Sequence, residues 1–483
     1  MHKVAHYIAC SDSNNIYGTA FASDKSLLVG NRRQLARIFR DSSGAVENFG
    51  KVRGGKQRGV ALAQVPLTNI PDDADIISIH ALPNGPICVA YHQPSLVAGR
   101  PSKYALNIYG SKTCSPYYLD HSVELDWDIL VEDCQCVELS FIPFQLSHTK
   151  SFLPHIRRPV VIILLAADDG QVYAFGPNKN IERNGRVEAI SIERVLPELT
   201  KLSLPTIIMS FDVFHTSTKR YVAAGYQNGE VLLMVTGVLG EPRSDGPSPA
   251  EPPRSESAVG DSTVFRPSFG GTLSRYRQHL DGAIPSVRLF VDDRGVVNLV
   301  VCGALGYALV YNDVERNGLN VAQTLPGSTE YDAVLCSNVI DFRCTGGKDL
   351  VIGTYSGEIL LYSKSDRNDS GGGSGASAPY GLYWQKRLAD PVFAVSSADL
   401  DMDGVDELLA TTAKGVHIIQ ADIEKAAETA RGVLKVLSGE QRDDAYKAML
   451  EQIKASMLVS LKEGKPRAPS GVPGNRSIAW MLR

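Results

Sequence analysis

The run Leu350-Val351-Ile352-Gly353-Thr354-Tyr355-Ser356-Gly357-Glu358-Ile359-Leu360-Leu361-Tyr362 decides the fold. Two short apolar stretches flank a four-residue break, and Gly357 supplies the positive φ that a tight hairpin turn needs. The stretch therefore reads as two antiparallel strands. The same pattern precedes it at Val160–Ala166 with Gly170 and Val172–Phe175, at Tyr221–Gly225 with Gly229 and Val231–Met234, and at Val297–Cys302 with Gly306 and Ala308–Tyr311. It follows once more at Leu408–Thr411 with Gly415 and Val416–Ile419. One hairpin is ordinary, but five in series define a repeat.

The turn glycines lie roughly 50–60 residues apart, except where residues 239–264 intervene, and that period suits a four-stranded propeller blade with long loops. Two weaker copies fit upstream, Leu27–Phe39 around Gly30 and Ile87–Tyr109. A lone unit of this size cannot bury its apolar faces, and a closed ring protects its edges. The expectation is an all-β fold, a seven-bladed β-propeller over residues 1–420, with an array of separate β-sandwiches as the alternative. Pro- and Ser-rich residues 239–264 and Gly- and Ser-rich residues 365–378 read as disordered insertions. Beyond Gln420, apolar residues at Ile423, Ala427, Ala430 and Leu434, then at Tyr446, Met449, Leu450 and Ile453, recur at helical spacing. They predict a C-terminal α-helical extension over 421–463, followed by a flexible tail over 464–483.

Composition narrows the function. The chain is 43% hydrophobic and 21% charged with a formal net charge of −4, which gives no general attraction to nucleic acid or to an anionic membrane. Eight scattered cysteines form no C-x-x-C pair and read as reduced thiols. The N-terminal residues lack a signal-peptide core and no apolar run approaches the ~20 residues of a membrane helix, so a cytoplasmic location is expected. Phosphate-binding G-x-x-x-x-G-K, G-x-S-x-G and H-E-x-x-H are absent, and the expectation is a protein that is not an enzyme. An active site in the propeller channel is the contrary possibility, to be tested by whether polar residues converge there.

The sharpest chemical motif is Asp399-Leu400-Asp401-Met402-Asp403-Gly404-Val405-Asp406-Glu407. Asp399, Asp401, Asp403 and Glu407, with the Val405 carbonyl, place oxygens at the spacing that wraps Ca²⁺, a cation tolerant of loose geometry. The loop resembles those of integrin-α-type FG-GAP repeats, and any ion in it would brace a blade. The competing reading is a hairpin link held by side-chain-to-backbone bonds. One repeat earlier, Asp341-Phe342-Arg343-Cys344-Thr345-Gly346-Gly347-Lys348-Asp349 has Arg343 and Thr345 at ligand positions, and it reads as a turn without metal.

A further signal comes from Ile70–Ile79, Phe141–Leu146, Leu196–Thr200, Arg316–Leu319, Leu325–Ser328, Asp332–Ser337, Tyr383–Gln385 and Lys414–Gln420. In order and number these stretches resemble the kaptin family. None is a catalytic motif. The resemblance implies a scaffold subunit of the KICSTOR complex, which recruits a GTPase-activating complex to lysosomes and restrains target-of-rapamycin signalling when amino acids or glucose are scarce. It also implies pairing with a second FG-GAP propeller subunit and peripheral residence at the lysosomal membrane through partners. An alternative role implied by the same resemblance is association with F-actin in lamellipodia and stereocilia.

Overall fold

The computed structural model describes residues 3–10, 14–41, 59–95, 101–110, 126–151, 160–177, 186–201, 206–216, 219–237, 273–364, 379–400, 405–421 and 427. The insertions at 239–264 and 365–378 and the tail at 464–483 lie outside these residues. So does the C-terminal helical extension, apart from Ala421 and a helical Ala427.

In chain order the strands are β1 (Lys3–Ala9), β2 (Asn14–Phe21), β3 (Leu27–Asn31), β4 (Leu35–Asp41), β5 (Gly59–Val65), β6 (Asp75–Ala81), β7 (Ile87–Gln93), β8 (Lys103–Tyr109) and β9 (Cys134–Leu139). Next come β10 (Pro143–Ser151), β11 (Val160–Ala167), β12 (Val172–Pro177), β13 (Val187–Ile190), β14 (Ile208–His215), β15 (Lys219–Tyr226), β16 (Glu230–Gly237) and β17 (Leu273–His279). The last group is β18 (Ser286–Val291), β19 (Val297–Gly303), β20 (Tyr307–Tyr311), β21 (Ala322–Thr324), β22 (Val334–Ile340), β23 (Asp349–Thr354), β24 (Glu358–Lys364), β25 (Tyr380–Arg387), β26 (Val392–Ala398), β27 (Glu407–Thr412) and β28 (Gly415–Gln420). Every hairpin read from the sequence is a pair of antiparallel strands, for example β23 with β24 and β27 with β28.

The expected seven separate blades are corrected by the strand pairing. Five sheets stand alone as four-stranded blades, namely β10–β13, β14–β17, β18–β21, β22–β25 and the set β1-β28-β27-β26. The remaining strands form one eight-stranded sheet in the order β5-β4-β3-β2-β6-β7-β8-β9, because β2 pairs in parallel with β6 at Tyr17 and Ser78. Hairpin spacing reports only antiparallel neighbours joined by short turns. A parallel bridge between two inner strands leaves no such mark.

The ring closes through the N-terminus. β1 pairs with β28, so the first strand completes the last sheet, and Ile8, Leu409 and Ile418 share a core with Leu27, Val29 and Ile38 of the eight-stranded sheet. Other cores are likewise built between two sheets: Tyr221, Leu233, Leu289 and Leu299 join two blades, and Val351, Leu361, Leu408 and Ile419 join the next two. This explains why middle strands such as β11, β19 and β23 are buried along their whole length, since both faces meet a neighbour. The outer β25 is exposed at five of its eight positions. Each buried Leu, Ile or Val contributes about 1.5–3 kcal/mol, so stacking stabilises sheets that could not stand alone. The sandwich alternative fails on this closure.

Glycine is needed where chains come closest. At Gly229 φ is +89°, and a Cβ would sit 2.0 Å from the Leu280 carbonyl oxygen. At Gly353 a Cβ would meet Val392 Cγ1 at 2.5 Å and Cys336 Sγ at 2.7 Å, between two blades. Gly353→Ala should therefore destabilise the protein by about 1–3 kcal/mol through overpacking. Urea denaturation measures this; an unchanged midpoint would show that the blades part freely.

Candidate functional site

The inner strands β2, β6, β10, β14, β18, β22 and β26 surround a channel of about 400 Å³. An inner strand has one unpaired edge, whose N–H groups need acceptors. The sequence supplies them with short polar side chains from the preceding inner strand. Ser78 Oγ accepts from Leu146 N at 3.1 Å, and Gln145 Oε1 accepts from Phe211 N at 2.8 Å. Ser210 Oγ accepts from Val287 N at 3.2 Å, and Asp212 Oδ2 accepts from Leu289 N at 2.8 Å. Burial pushes the Asp212 carboxyl above its ordinary range, against the opposing pull of Arg288. Polar residues do converge on the channel, but these groups fasten one inner strand to the next.

Three histidines extend this seam. His80 Nε2 lies 2.7 Å from His148 Nδ1, joining β6 to β10, and Thr149 Oγ1 lies 2.9 Å from His215 Nε2, joining β10 to β14. Burial pulls all three imidazoles down: His80 to about 3, also opposed by His148; His148 to about 4, also opposed by Lys150; and His215 to about 3, also opposed by Arg220 and Lys150. They are neutral at physiological pH. The Thr149 hydroxyl is buried, so a substrate cannot reach it, and burial pushes the Cys336 thiol up, away from the reactive thiolate. Sequence reading passed over these histidines because their spacing is not that of ligands. Their signal is positional: each lies toward the C-terminal end of an inner strand.

The two acidic loops can be compared directly. In the 341–349 loop, Asp341 accepts from Thr345 N at 2.9 Å and Gly346 N at 2.8 Å, while Asp349 accepts from Arg343 N at 3.2 Å and Arg343 Nε at 3.0 Å. Arg343 thus supplies positive charge to a carboxylate that burial raises, against the guanidinium's opposing pull, to about 6. In the 399–407 loop, Asp399, Val405 and Glu407 are described, whereas Asp401 and Asp403 lie outside the described residues. Buried Glu407 turns inward, its Oε2 accepting from Leu400 N at 2.8 Å. Asp401 stands where the sister loop has Arg343, and the stretch Asp399–Glu407 contains no basic residue. Its oxygen-only donor set suits a hard cation. Among the described residues, no group of three or more His, Cys, Asp or Glu is gathered as metal ligands.

One face of the ring is formed by the turns of the hairpins and the loops that lead into the inner strands. Along it Leu305 is 67% exposed, Tyr355 55% and Tyr7 45%. They lie on successive blades, Leu305 and Tyr355 in hairpin turns and Tyr7 in β1, where its ring rests on His417 of β28 at 4.5 Å. A buried ion pair, Arg220 with Glu198, lies deeper, 1% and 2% exposed, and fastens the segment Ile192–Lys201 to β15.

Comparison with known proteins follows this architecture. The family described as KICSTOR complex protein kaptin matches residues 2–431. A KICSTOR complex protein kaptin from Mus musculus is 26% identical over 430 residues, covering 86% of this chain and 87% of its own. Among solved structures, Sqt1 of Saccharomyces cerevisiae is similar at 11% identity and a TM-score of 0.46, over 85% of this chain and 84% of that one. The C-terminal WD40 domain of Sif2 follows at 9% identity and 0.42, over 86% and 98%. BBS1N, solved in complex with ARL6DN, is 12% identical at 0.43, over 87% and 95%.

Proposed function

The chain belongs to the kaptin family, and from that membership we propose that it is a non-enzymatic scaffold subunit of a KICSTOR-type assembly. In this reading it joins the other subunits, including a second FG-GAP propeller protein. Through them it recruits a GTPase-activating complex to lysosomes and restrains target-of-rapamycin signalling in amino-acid or glucose starvation. The observation that carries the proposal is the family match along the whole described ring. The channel supports it, because Ser78, Gln145, Ser210, Asp212 and His80, which line it, are engaged between strands. No helix among the described residues is long and apolar enough to cross a membrane, which fits attachment through partners.

Co-expression of the full chain with the other subunits of a kaptin-containing KICSTOR complex tests this. The expected result is a stoichiometric complex on size-exclusion chromatography. A monodisperse chain that captures none of them, yet sediments with actin filaments, would overturn the proposal in favour of the actin-associated role.

The acidic loop enters the same proposal as a brace. One Ca²⁺ is held by Asp399, Asp401, Asp403, the Val405 carbonyl and Glu407, and it performs no chemistry. Calorimetry should give one Ca²⁺ site, lost in Asp401→Ala. Absence of any heat with the intact protein would leave a loop closed by its own side chains.

A further inference from the structure

The turn face carries apolar side chains set among carboxylates, and we infer that this arc docks a partner-protein segment that is both basic and apolar. The inference rests on the scaffold reading and narrows it to one surface and one partner chemistry.

The arc is physically continuous. Leu305 lies over Gly282, where an added Cβ would meet Leu305 Cγ at 2.7 Å, and Ala304 N donates to Ala283 O at 2.8 Å. The Gly306 turn abuts the Tyr331 carbonyl, and Tyr355 N donates to Ala333 O at 2.8 Å. Ala413 N donates to Pro391 O at 3.1 Å, and Tyr7 OH reaches Lys414 O at 3.4 Å. Leu305 and Tyr355 therefore project from the hairpin turns of two neighbouring blades, and Tyr7 from the outer strand β1 of the third. Single exposed apolar residues are ordinary on a monomer, but a row of them with two tyrosines has the make-up of interface anchors.

Charge says what covers the row. Exposed Asp281, Glu330 and Asp332 flank Leu305 and Tyr355, and among the described residues no ion pair engages their carboxylates. Farther along the arc, Lys414 pairs with Asp390 at 3.2 Å, and Arg387 with Glu358 at 3.7 Å. An acidic partner would meet repulsion here, and a purely apolar one would leave three carboxylates desolvated without a counter-charge. A segment alternating Lys or Arg with large apolar residues satisfies both features.

The test has two arms. In the first, random peptides displayed on phage are selected on the immobilised full chain at low salt. Enriched peptides should be positively charged and rich in large apolar residues. They should bind the Leu305→Ser/Tyr355→Ser variant at least ~10-fold more weakly, with its melting temperature unchanged. The Asp281→Asn/Glu330→Gln/Asp332→Asn variant should also bind more weakly, with a flatter salt dependence. Acidic peptides, no enrichment, or equal binding to both variants overturns the inference. In the second arm, the Leu305→Ser/Tyr355→Ser variant is co-expressed with the other KICSTOR subunits. Capture equal to wild type overturns this surface alone. A wild-type chain that captures no subunit, while basic peptides still bind the arc, overturns the scaffold reading and upholds the surface.

Discussion

Replacing Arg220 by alanine should destabilise the protein by about 3–5 kcal/mol, the cost of removing one partner from a buried ion pair. Arg220 and its partner Glu198 are both buried. The guanidinium lies with Nε 2.5 Å from Glu198 Oε1, donates from Nη2 to Oε2 at 2.8 Å, and donates from Nη1 to Val195 O at 3.0 Å. It thus holds the Ile192–Lys201 segment, whose Val195, Leu196 and Leu199 fill a core shared by two blades. Alanine leaves the Glu198 carboxylate buried without its counter-charge. Urea denaturation of Arg220→Ala measures the loss, and a change below about 1 kcal/mol would mean that the pair is not enclosed as described. The double variant Arg220→Met/Glu198→Leu separates charge from packing, since replacing both members by apolar groups should recover most of the stability. If the double variant is as weak as the single one, the segment is held by geometry that only the ion pair provides.

The parts of this structure legible in the sequence are those with local causes. Turn glycines such as Gly229 and Gly357 have positive φ, and the apolar runs beside them become paired strands because both signals sit within about a dozen residues. Ring closure was legible at one remove, from the inability of such units to bury their faces alone. The sheet count was not, because the β2–β6 bridge depends on how two neighbouring inner strands lie side by side in the channel wall. The site residues divide the same way. Arg343 reads in sequence as a residue hostile to a cation, and the structure shows its charge turned onto Asp349. The His80–His148 contact joins residues 68 apart in sequence, and the Arg220–Glu198 contact joins β15 to a short helical segment outside the repeat. Neither has a motif, because each exists only once the sheets have stacked.

Acidification should weaken the folded state between pH 6.5 and about 4, and the histidine seam supplies the reason. An unfolded histidine titrates near 6.5, whereas burial holds His80 at about 3, His148 at about 4 and His215 at about 3. Below pH 6.5 the unfolded chain binds protons that the folded chain refuses, so stability is complete above that value and falls as the pH drops through this window. Each such proton is worth about 1.4 kcal/mol per pH unit, which bounds the three together at about 4 kcal/mol per pH unit. The three residues are half-buried, so solvent screens part of that effect. Asp349, raised to about 6, acts in the opposite sense, because it takes its proton first in the folded state. The decisive quantity is therefore the difference between wild type and His80→Gln, whose amide can still donate to His148 but cannot titrate. The variant should lose stability less steeply, by up to about 1.4 kcal/mol per pH unit, in urea denaturation at pH 7, 6 and 5. Parallel slopes would remove His80 from the account. The same contact dictates where acid acts first: one ring nitrogen of the His80–His148 pair must accept, so at pH 5 both rings take up protons only when β6 and β10 part, and acid favours that opening. Amide exchange at pH 5 should then rise in those inner strands before it rises in β18 and β22, where Ser286 meets Ser337 through hydroxyls that do not titrate in this range.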